Sequence, residues 1–288
     1  MIIAVASGKG GTGKTTVAVN LALVAGSVCL LDCDVEEPNA HLFLKPEWRE
    51  ETPVTVPVPE VDVSRCTGCG ECARVCAYHA IAVIPGIDKN PQPLVFPHLC
   101  HACGACSLLC PTGAIHENRR SIGIIQKGTR GSVSFAHGKM NVGEVLSPVL
   151  IRRVKELADS RGLTIIDAPP GTSCPVVAAI RGVDFCLMVT EPTPFGLHDL
   201  VLAVAVVRQM KIPFGVVINR AGLGNDAVEN YCRVEHIPVL ARIPFAREIA
   251  VCYSGGETLV DKSLAMAGLF HELYKNILRV KDETDRCS

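Results

Sequence analysis

No apolar run in this 288-residue chain approaches the ~18 to 20 residues that a helix needs to span a bilayer, so a membrane-spanning protein is not expected. Charge of one sign is equally scarce. Lys and Arg number 28 against 29 Asp and Glu, a formal net charge of −1, which gives no global pull toward nucleic acid or an anionic lipid surface. Aromatic residues make up 5%, and no basic stripe interleaved with them suggests a nucleic-acid groove. The stretch Arg279-Val280-Lys281-Asp282-Glu283-Thr284-Asp285-Arg286 mixes both signs and lacks the basic face of a lipid-anchoring helix. The first residues, Ile2-Ile3-Ala4-Val5-Ala6, read as a core strand and not as a secretory signal, which makes the cytoplasm the expected compartment. Thiols stay reduced there, so the 15 cysteines do not read as a disulfide framework. With 48% hydrophobic and 20% charged residues, the chain reads as globular, one large α/β domain or two modules.

Ten residues near the start carry the first motif: Ser7-Gly8-Lys9-Gly10-Gly11-Thr12-Gly13-Lys14-Thr15-Thr16. They lie between the apolar strand and the helix-like run Val17-Ala18-Val19-Asn20-Leu21-Ala22-Leu23. G-x-x-x-x-G-K-[ST] is complete from Gly8 to Thr15 in the strand–turn–helix setting of a phosphate-binding loop. The glycines let backbone N–H groups converge on phosphate oxygens, and the helix N-terminus adds partial positive charge. Lys14 is expected to reach the β- and γ-phosphates and Thr15 to place its hydroxyl on Mg²⁺.

Eight of the cysteines crowd into 66–110 as an internal repeat. Cys66-Thr67-Gly68-Cys69-Gly70-Glu71-Cys72-Ala73-Arg74-Val75-Cys76 lies on Cys100-His101-Ala102-Cys103-Gly104-Ala105-Cys106-Ser107-Leu108-Leu109-Cys110 at a constant offset of 34. Both copies read C-x₂-C-x₂-C-x₃-C, the bacterial two-cluster ferredoxin spacing, in which three thiolates of one run hold one cluster and the fourth crosses to the other. One [4Fe–4S] is therefore expected on Cys66, Cys69, Cys72 and Cys110, and the second on Cys76, Cys100, Cys103 and Cys106. Zinc is the competing ligand for eight cysteines, but zinc sites pair two C-x₂-C knuckles instead of stringing four thiolates together. Pro111 follows Cys110 as the ferredoxin pattern expects, whereas Ala77 follows Cys76. The proline-rich stretch from Pro46 to Pro59 reads as the boundary of this module, with Val54-Thr55-Val56 as a short edge strand, and the module closes near Asn118. The expected domains are 1–59 with 119–288, and 60–118 as an insert.

Val28-Cys29-Leu30-Leu31 reads as a second buried strand ending at Asp32-Cys33-Asp34, and Leu163-Thr164-Ile165-Ile166 as another ending at Asp167. Carboxylates at such strand ends lie on the ligand edge of an open α/β sheet. Asp167 is expected to hold Mg²⁺ in the manner of a Walker B aspartate, and Gly171 to bring a backbone N–H to the γ-phosphate. Asp34 has an ordinary N-cap or loop role as its alternative.

The motif Gly-Lys-Gly-Gly-Thr-Gly-Lys-Thr, with Asp34-Val35-Glu36-Glu37-Pro38-Asn39 and Asp167-Ala168-Pro169-Pro170-Gly171, resembles the deviant Walker A ATPases of the MinD/Mrp/ParA family, to which the nitrogenase iron protein is related. The resemblance covers essentially the whole chain. It implies a doubly wound, mostly parallel α/β sheet with the two-cluster ferredoxin domain inserted between its switches, and binding of ATP and ADP. It also implies that Lys9 reaches the nucleotide of a second subunit, that Asp34 orients the attacking water, and that Asn219, Arg220 and Pro244 lie at the base. Composite ATPases of this kind accompany orange-protein complexes, which implies a homodimer, or a heterodimer with a paralogous ATPase, acting on a redox or metalloprotein client. Cys174 lies seven residues after Asp167, the offset of a cluster ligand in the iron protein; a bridging metal or cluster is one reading of it and a small buried residue the other. The leading functional expectation is an ATPase whose switch drives electron transfer or metal-cluster handling. An iron–sulfur carrier of the Mrp type is the alternative, followed by a positioning ATPase with structural clusters.

Overall fold

A computed structural model describes residues 1–86, 91–159 and 161–287; the side chain of Asp285, in the C-terminal stretch of mixed charge, lies outside them. In chain order the main elements are β1 (Ile2–Ala6), α1 (Lys14–Ala25), β2 (Val28–Asp32), α2 (Ala40–Leu44), β3 (Glu47–Val61), α3 (Glu71–Val75), β4 (Ile81–Pro85), β5 (Pro91–Val95) and α4 (Ala105–Leu108). They continue with β6 (Ile115–Arg130), β7 (Val133–Met140), α5 (Ser147–Lys155), β8 (Leu163–Asp167), α6 (Cys174–Ile180), β9 (Phe185–Thr190) and α7 (Pro194–Gln209). The chain ends with β10 (Phe214–Ala221), α8 (Ala227–Val234), β11 (Val239–Pro244), α9 (Arg247–Ser254), α10 (Leu259–Lys262) and α11 (Leu264–Cys287). No helix among the described residues is long and apolar enough to cross a membrane.

The large sheet has the order β11-β10-β9-β1-β8-β2-β7-β6-β3. The pairs from β11 through to β7 are parallel. Parallel strands are covered on both faces, which explains why β1, β2, β8 and β9 read as unbroken apolar runs. Ile3, Val5, Leu30, Ile165 and Leu187 are fully buried there, each contributing about 1.5–3 kcal/mol of burial. The apolar faces of α1 and α11 add Val17, Leu21, Phe270, Leu273 and Ile277 to the same core. Register does the positioning: Val5 pairs with Asp167 and Asp32 pairs with Asp167, so the carboxyl ends of three adjacent strands stand level.

The chain forms two compact units, Met1–Glu51 with Ile125–Lys139 and Pro148–Ser288, and Thr52–Ile124 with Met140–Ser147. The second unit is wider than the insert expected at 60–118, because β3 and β6 are long strands that start or end well beyond the cysteine repeat. The proline-rich stretch is a strand of 15 residues, longer than the edge strand expected at Val54-Thr55-Val56. Its prolines are tolerated because β3 is an edge strand, where a missing N–H breaks no ladder.

Inside the second unit the sequence repeat is also a backbone repeat. Phe96 N donates to Ala80 O at 2.8 Å, and 34 residues away in both partners Asp62 N donates to Ala114 O at 2.7 Å. Left-handed backbone recurs at Gly68 and Ala102, Gly70 and Gly104, and Gly113 and His79. Each copy once places a side chain where the other has glycine, Ala102 opposite Gly68 and His79 opposite Gly113, in a conformation that costs a side chain about 1–2 kcal/mol. Gly68→Ala is expected to destabilise the chain by about 1 kcal/mol and Ala102→Gly to stabilise it by about 0.5 kcal/mol, the gain trimmed by glycine's extra unfolded-state entropy. Denaturant melts of the two variants against the parent check the opposite signs.

Candidate functional site

The loop between β1 and α1 is shaped by close approaches that only glycine permits. A Cβ on Gly8 would stand 2.1 Å from the carbonyl oxygen of Asp199 in α7, and one on Gly13, at φ +94°, 2.3 Å from Asn219 Nδ2. Asn219 Nδ2 donates to Thr12 O at 2.8 Å, Arg220 Nη2 to Gly11 O at 3.2 Å and Ser7 Oγ to Lys9 O at 2.6 Å. Lys14 is buried at the first turn of α1, 7% exposed. Asn219, expected at the base, therefore spends its amide on the loop itself; its Oδ1 accepts from Arg220 N at 2.9 Å.

Three carboxylates gather at the level strand ends. Asp32 is fully buried and closes the following loop on itself: Oδ1 accepts from Asp34 N at 3.1 Å and Oδ2 from Asn39 N and Ala40 N at 3.0 Å each. It is the residue that shapes the segment presenting Asp34, a role that a bare Asp-Cys-Asp string does not reveal. Burial raises the Asp34 carboxyl to about 6, Lys14 opposing and Glu36 and Glu37 adding to the shift. Asp167 is fully buried and neither carboxylate oxygen has a hydrogen-bond partner. Its pKa rises to about 7, through burial first, despite the nearby Thr15 hydroxyl and Lys14 ammonium, which lower it. Burial and the Asp167 charge also raise Asp32 well above the carboxylate range. Two orphaned oxygens beside Thr15 and Lys14 are the donor set that a hard divalent cation such as Mg²⁺ satisfies.

Of the three carboxylates Asp34 lines a cleft of about 1350 Å³, its open mouth included, together with Gly10, Gly13, Lys14, Thr15 and Arg220. Its far wall is apolar: Ile243, Pro244 and Phe245 at the end of β11, Ile249 and Tyr253 from α9, and Leu259. Of these only Pro244 was legible in sequence; α9 shows an ordinary amphipathic pattern, and its place at the cleft is decided by where β11 ends. Pro170 also lines the cleft, and the N–H of the following Gly171 donates to Ser7 O at 3.0 Å. Cys174 is exposed at the start of the seven-residue α6, which excludes the buried reading.

A model of the CobQ/CobB/MinD/ParA nucleotide-binding domain matches residues 3–259. The chain belongs to that family. It therefore carries a nucleotide-binding domain of the MinD/ParA kind. Two uncharacterized proteins of Methanocaldococcus jannaschii are similar to it along almost their whole length. MJ0579 is 32% identical, covering 90% of this chain and 91% of its own, and MJ0578 is 30% identical, covering 96% of each. The iron–sulfur cluster carrier protein of Pyrococcus furiosus is 26% identical over 75% of this chain and 60% of its own. Among solved structures, the cell division ATPase MinD of Pyrococcus furiosus has a TM-score of 0.59 at 22% identity, covering 97% of this chain and 98% of its own. The septum site-determining protein MinD of Pyrococcus horikoshii, solved with Mg-ADP, has a TM-score of 0.58 at 20% identity, covering 96% and 95%. At those identities the likeness is one of fold.

In the second unit of this MinD/ParA-type chain two cavities open. One, of about 330 Å³, is lined by Cys66, Cys69, Cys72 and Cys110; the other, of about 430 Å³, by Cys76, Cys100, Cys103 and Cys106. Each cavity takes three cysteines from one copy of the repeat and the fourth from the other. Backbone N–H groups point at three of the sulfurs: Ala80 to Cys76 at 3.2 Å, Ala102 to Cys100 at 3.4 Å and Ala114 to Cys110 at 3.3 Å. Among the described residues no three His, Cys, Asp or Glu side chains converge to metal-binding distance. Four cysteines outside this unit behave differently. Cys33, Cys186, Cys232 and Cys252 are buried, and burial pushes the Cys186 thiol up to about 12 and Cys232 to about 11, the signature of inert packing thiols.

Proposed function

We propose that this protein is a dimeric, Mg²⁺-dependent ATPase whose nucleotide switch governs two [4Fe–4S] clusters, moving electrons to, or handling a metal cluster on, a client protein such as an orange-protein-like partner. The observation that carries the reading is the presence in one chain of two sites. A phosphate loop faces an orphaned Asp167, and two four-cysteine cavities are built by crossing over between repeats.

In this reading Gly8, Gly10, Gly11, Thr12, Gly13 and Thr16 shape the loop around the phosphates of ATP, and Lys14 pairs with the β- and γ-phosphates. Thr15 and Asp167 would hold Mg²⁺, which neutralises phosphate charge when bound. Asp34, held out by the Asp32-closed loop, orients the attacking water, and the apolar wall from Ile243 to Tyr253 takes the base beside Asn219, Arg220 and Pro244. Release of the Gly171 N–H from Ser7 O frees a donor for the γ-phosphate, so the second switch has a bond to exchange on binding. Cys66, Cys69, Cys72 and Cys110 would hold one cluster and Cys76, Cys100, Cys103 and Cys106 the other, supplying one-electron chemistry, with the backbone N–H groups aimed at sulfur as a lever on potential. Lys9 completes the site of a second subunit, identical or paralogous.

The carrier reading finds support in the printed name of the Pyrococcus relative. It needs an exposed thiol pair in the ATPase unit, whereas Cys33 is buried and Cys29 half-buried there. Anaerobic purification with iron analysis and EPR of the reduced protein, with and without ATP and a transition-state mimic, separates the readings. A signal or potential that moves with nucleotide is expected; quantitative transfer of iron and sulfide to an apo-protein overturns the ranking in favour of the carrier.

A further inference from the structure

Glu191 follows the last residue of β9, and the structure gives it an occupation that no motif predicts. Its carboxylate side chain is only 8% exposed yet receives two cations on separate oxygens. Lys9 Nζ lies 2.6 Å from Oε1 and Arg220 Nη1 lies 2.7 Å from Oε2. Thr193 Oγ1 adds a third contact to Oε1 at 3.3 Å. Burial pushes this carboxyl up, but Lys9 and Arg220 outweigh it and hold it below the ordinary range, so it is a charged partner at neutral pH. Through Arg220, which also donates to Gly11 O, the same carboxylate ties down the phosphate loop. Lys9 is thereby occupied within its own chain.

We propose that Glu191 is a positioning residue that restrains Lys9, and that pairing of two chains on ATP exchanges this carboxylate for phosphate oxygens across the interface. The second half rests on the reading of Lys9 as a cross-subunit residue. Two cations share one carboxylate, so Lys9 can leave without stranding a buried charge: Arg220 still neutralises Glu191. Removing one partner alone would otherwise be costly. Arg220 and Lys9 also compete for Glu191, so deleting Arg220 tightens the hold on Lys9 while neutralising Glu191 releases it. The two variants have opposite effects.

The test reads Lys9 directly. The nucleotide-free full chain is pulsed with an amine-acylating reagent, and labelling of Lys9 is scored by mass spectrometry against Lys211, which is exposed. Glu191→Gln is expected to label several-fold faster at Lys9 than the parent, Arg220→Met no faster, and Glu191→Asp, which keeps the charge, to return toward parental slowness. Lys211 labelling should stay constant throughout, which controls for misfolding. With Mg-ATP, Glu191→Gln should self-associate at a several-fold lower protein concentration than the parent. Equal Lys9 labelling in the parent and Glu191→Gln overturns the restraint. Faster labelling with no ATP-dependent association in either protein supports the restraint and overturns the exchange, which places the failure in the cross-subunit reading and not in Glu191.

Discussion

Asp167→Asn is expected to lower ATP turnover by about 10²–10³-fold, the loss typical when one preorganised charge-stabilising group is removed, and at the same time to make the nucleotide-free protein more stable. Both effects follow from one geometry. The Asp167 carboxylate is fully buried with two unpartnered oxygens, between Asp32 on the adjacent strand and the Lys14 and Thr15 side chains. Without a cation, a buried unsatisfied polar group costs about 1–3 kcal/mol, and an amide of the same shape removes the charge and the repulsion from Asp32 and Asp34. A gain of about 1–2 kcal/mol in a chelator-treated melt, with loss of phosphate release, is the predicted pair. Its pH dependence has a definite sign. Between the ordinary value of 3.8 and about 7, the folded chain keeps a proton that the unfolded chain has released. This group's contribution to stability therefore falls as pH rises through that window. Melts of the parent and the variant, run without metal across pH 4 to 7, should converge at the acid end. Lower stability of Asp167→Asn at pH 7 would contradict this account.

Cys110→Ser and Cys76→Ser should each damage the cluster site of the opposite repeat. Cys110 lines the cavity of Cys66, Cys69 and Cys72, and Cys76 that of Cys100, Cys103 and Cys106. Serine is a poor ligand for iron at a thiolate site, so each variant is expected to retain about half of the parent's cluster iron, with one of two EPR signals lost. Thiol alkylation mapped after anaerobic reconstitution then gives a directional readout. Cys110→Ser should expose Cys66, Cys69 and Cys72 while Cys100, Cys103 and Cys106 stay protected, and Cys76→Ser should do the reverse. If Cys110→Ser instead exposes Cys100, Cys103 and Cys106, each run holds its own cluster and the crossover assignment is wrong.

Much of the architecture was legible before any coordinates. Unbroken apolar runs ending in Asp32 and Asp167 announce buried parallel strands, because such strands have no polar face to alternate with. The complete loop motif implies its own strand and helix. The cysteine repeat announces itself through constant spacing. Elsewhere local pattern showed less than the fold holds. The proline-rich stretch reads as a module boundary with a short edge strand at Val54-Thr55-Val56, and the edge strand β3 there runs to 15 residues. Asn219 gives its amide to Thr12 O, a partner too distant in sequence for any local pattern to show.

The sequence by itself determined the phosphate-loop motif, the aspartates that end β2 and β8, and the spacing of the eight clustered thiols, because each is a short string read along the chain. Only the tertiary structure decided that Asp32 closes the loop presenting Asp34, that Gly171 spends its N–H on Ser7, and that Glu191 holds Lys9 and Arg220 together, 182 and 29 residues away. Strand register and the turn from β9 into α7 set those partnerships. Contacts between residues far apart in sequence leave no local pattern to read.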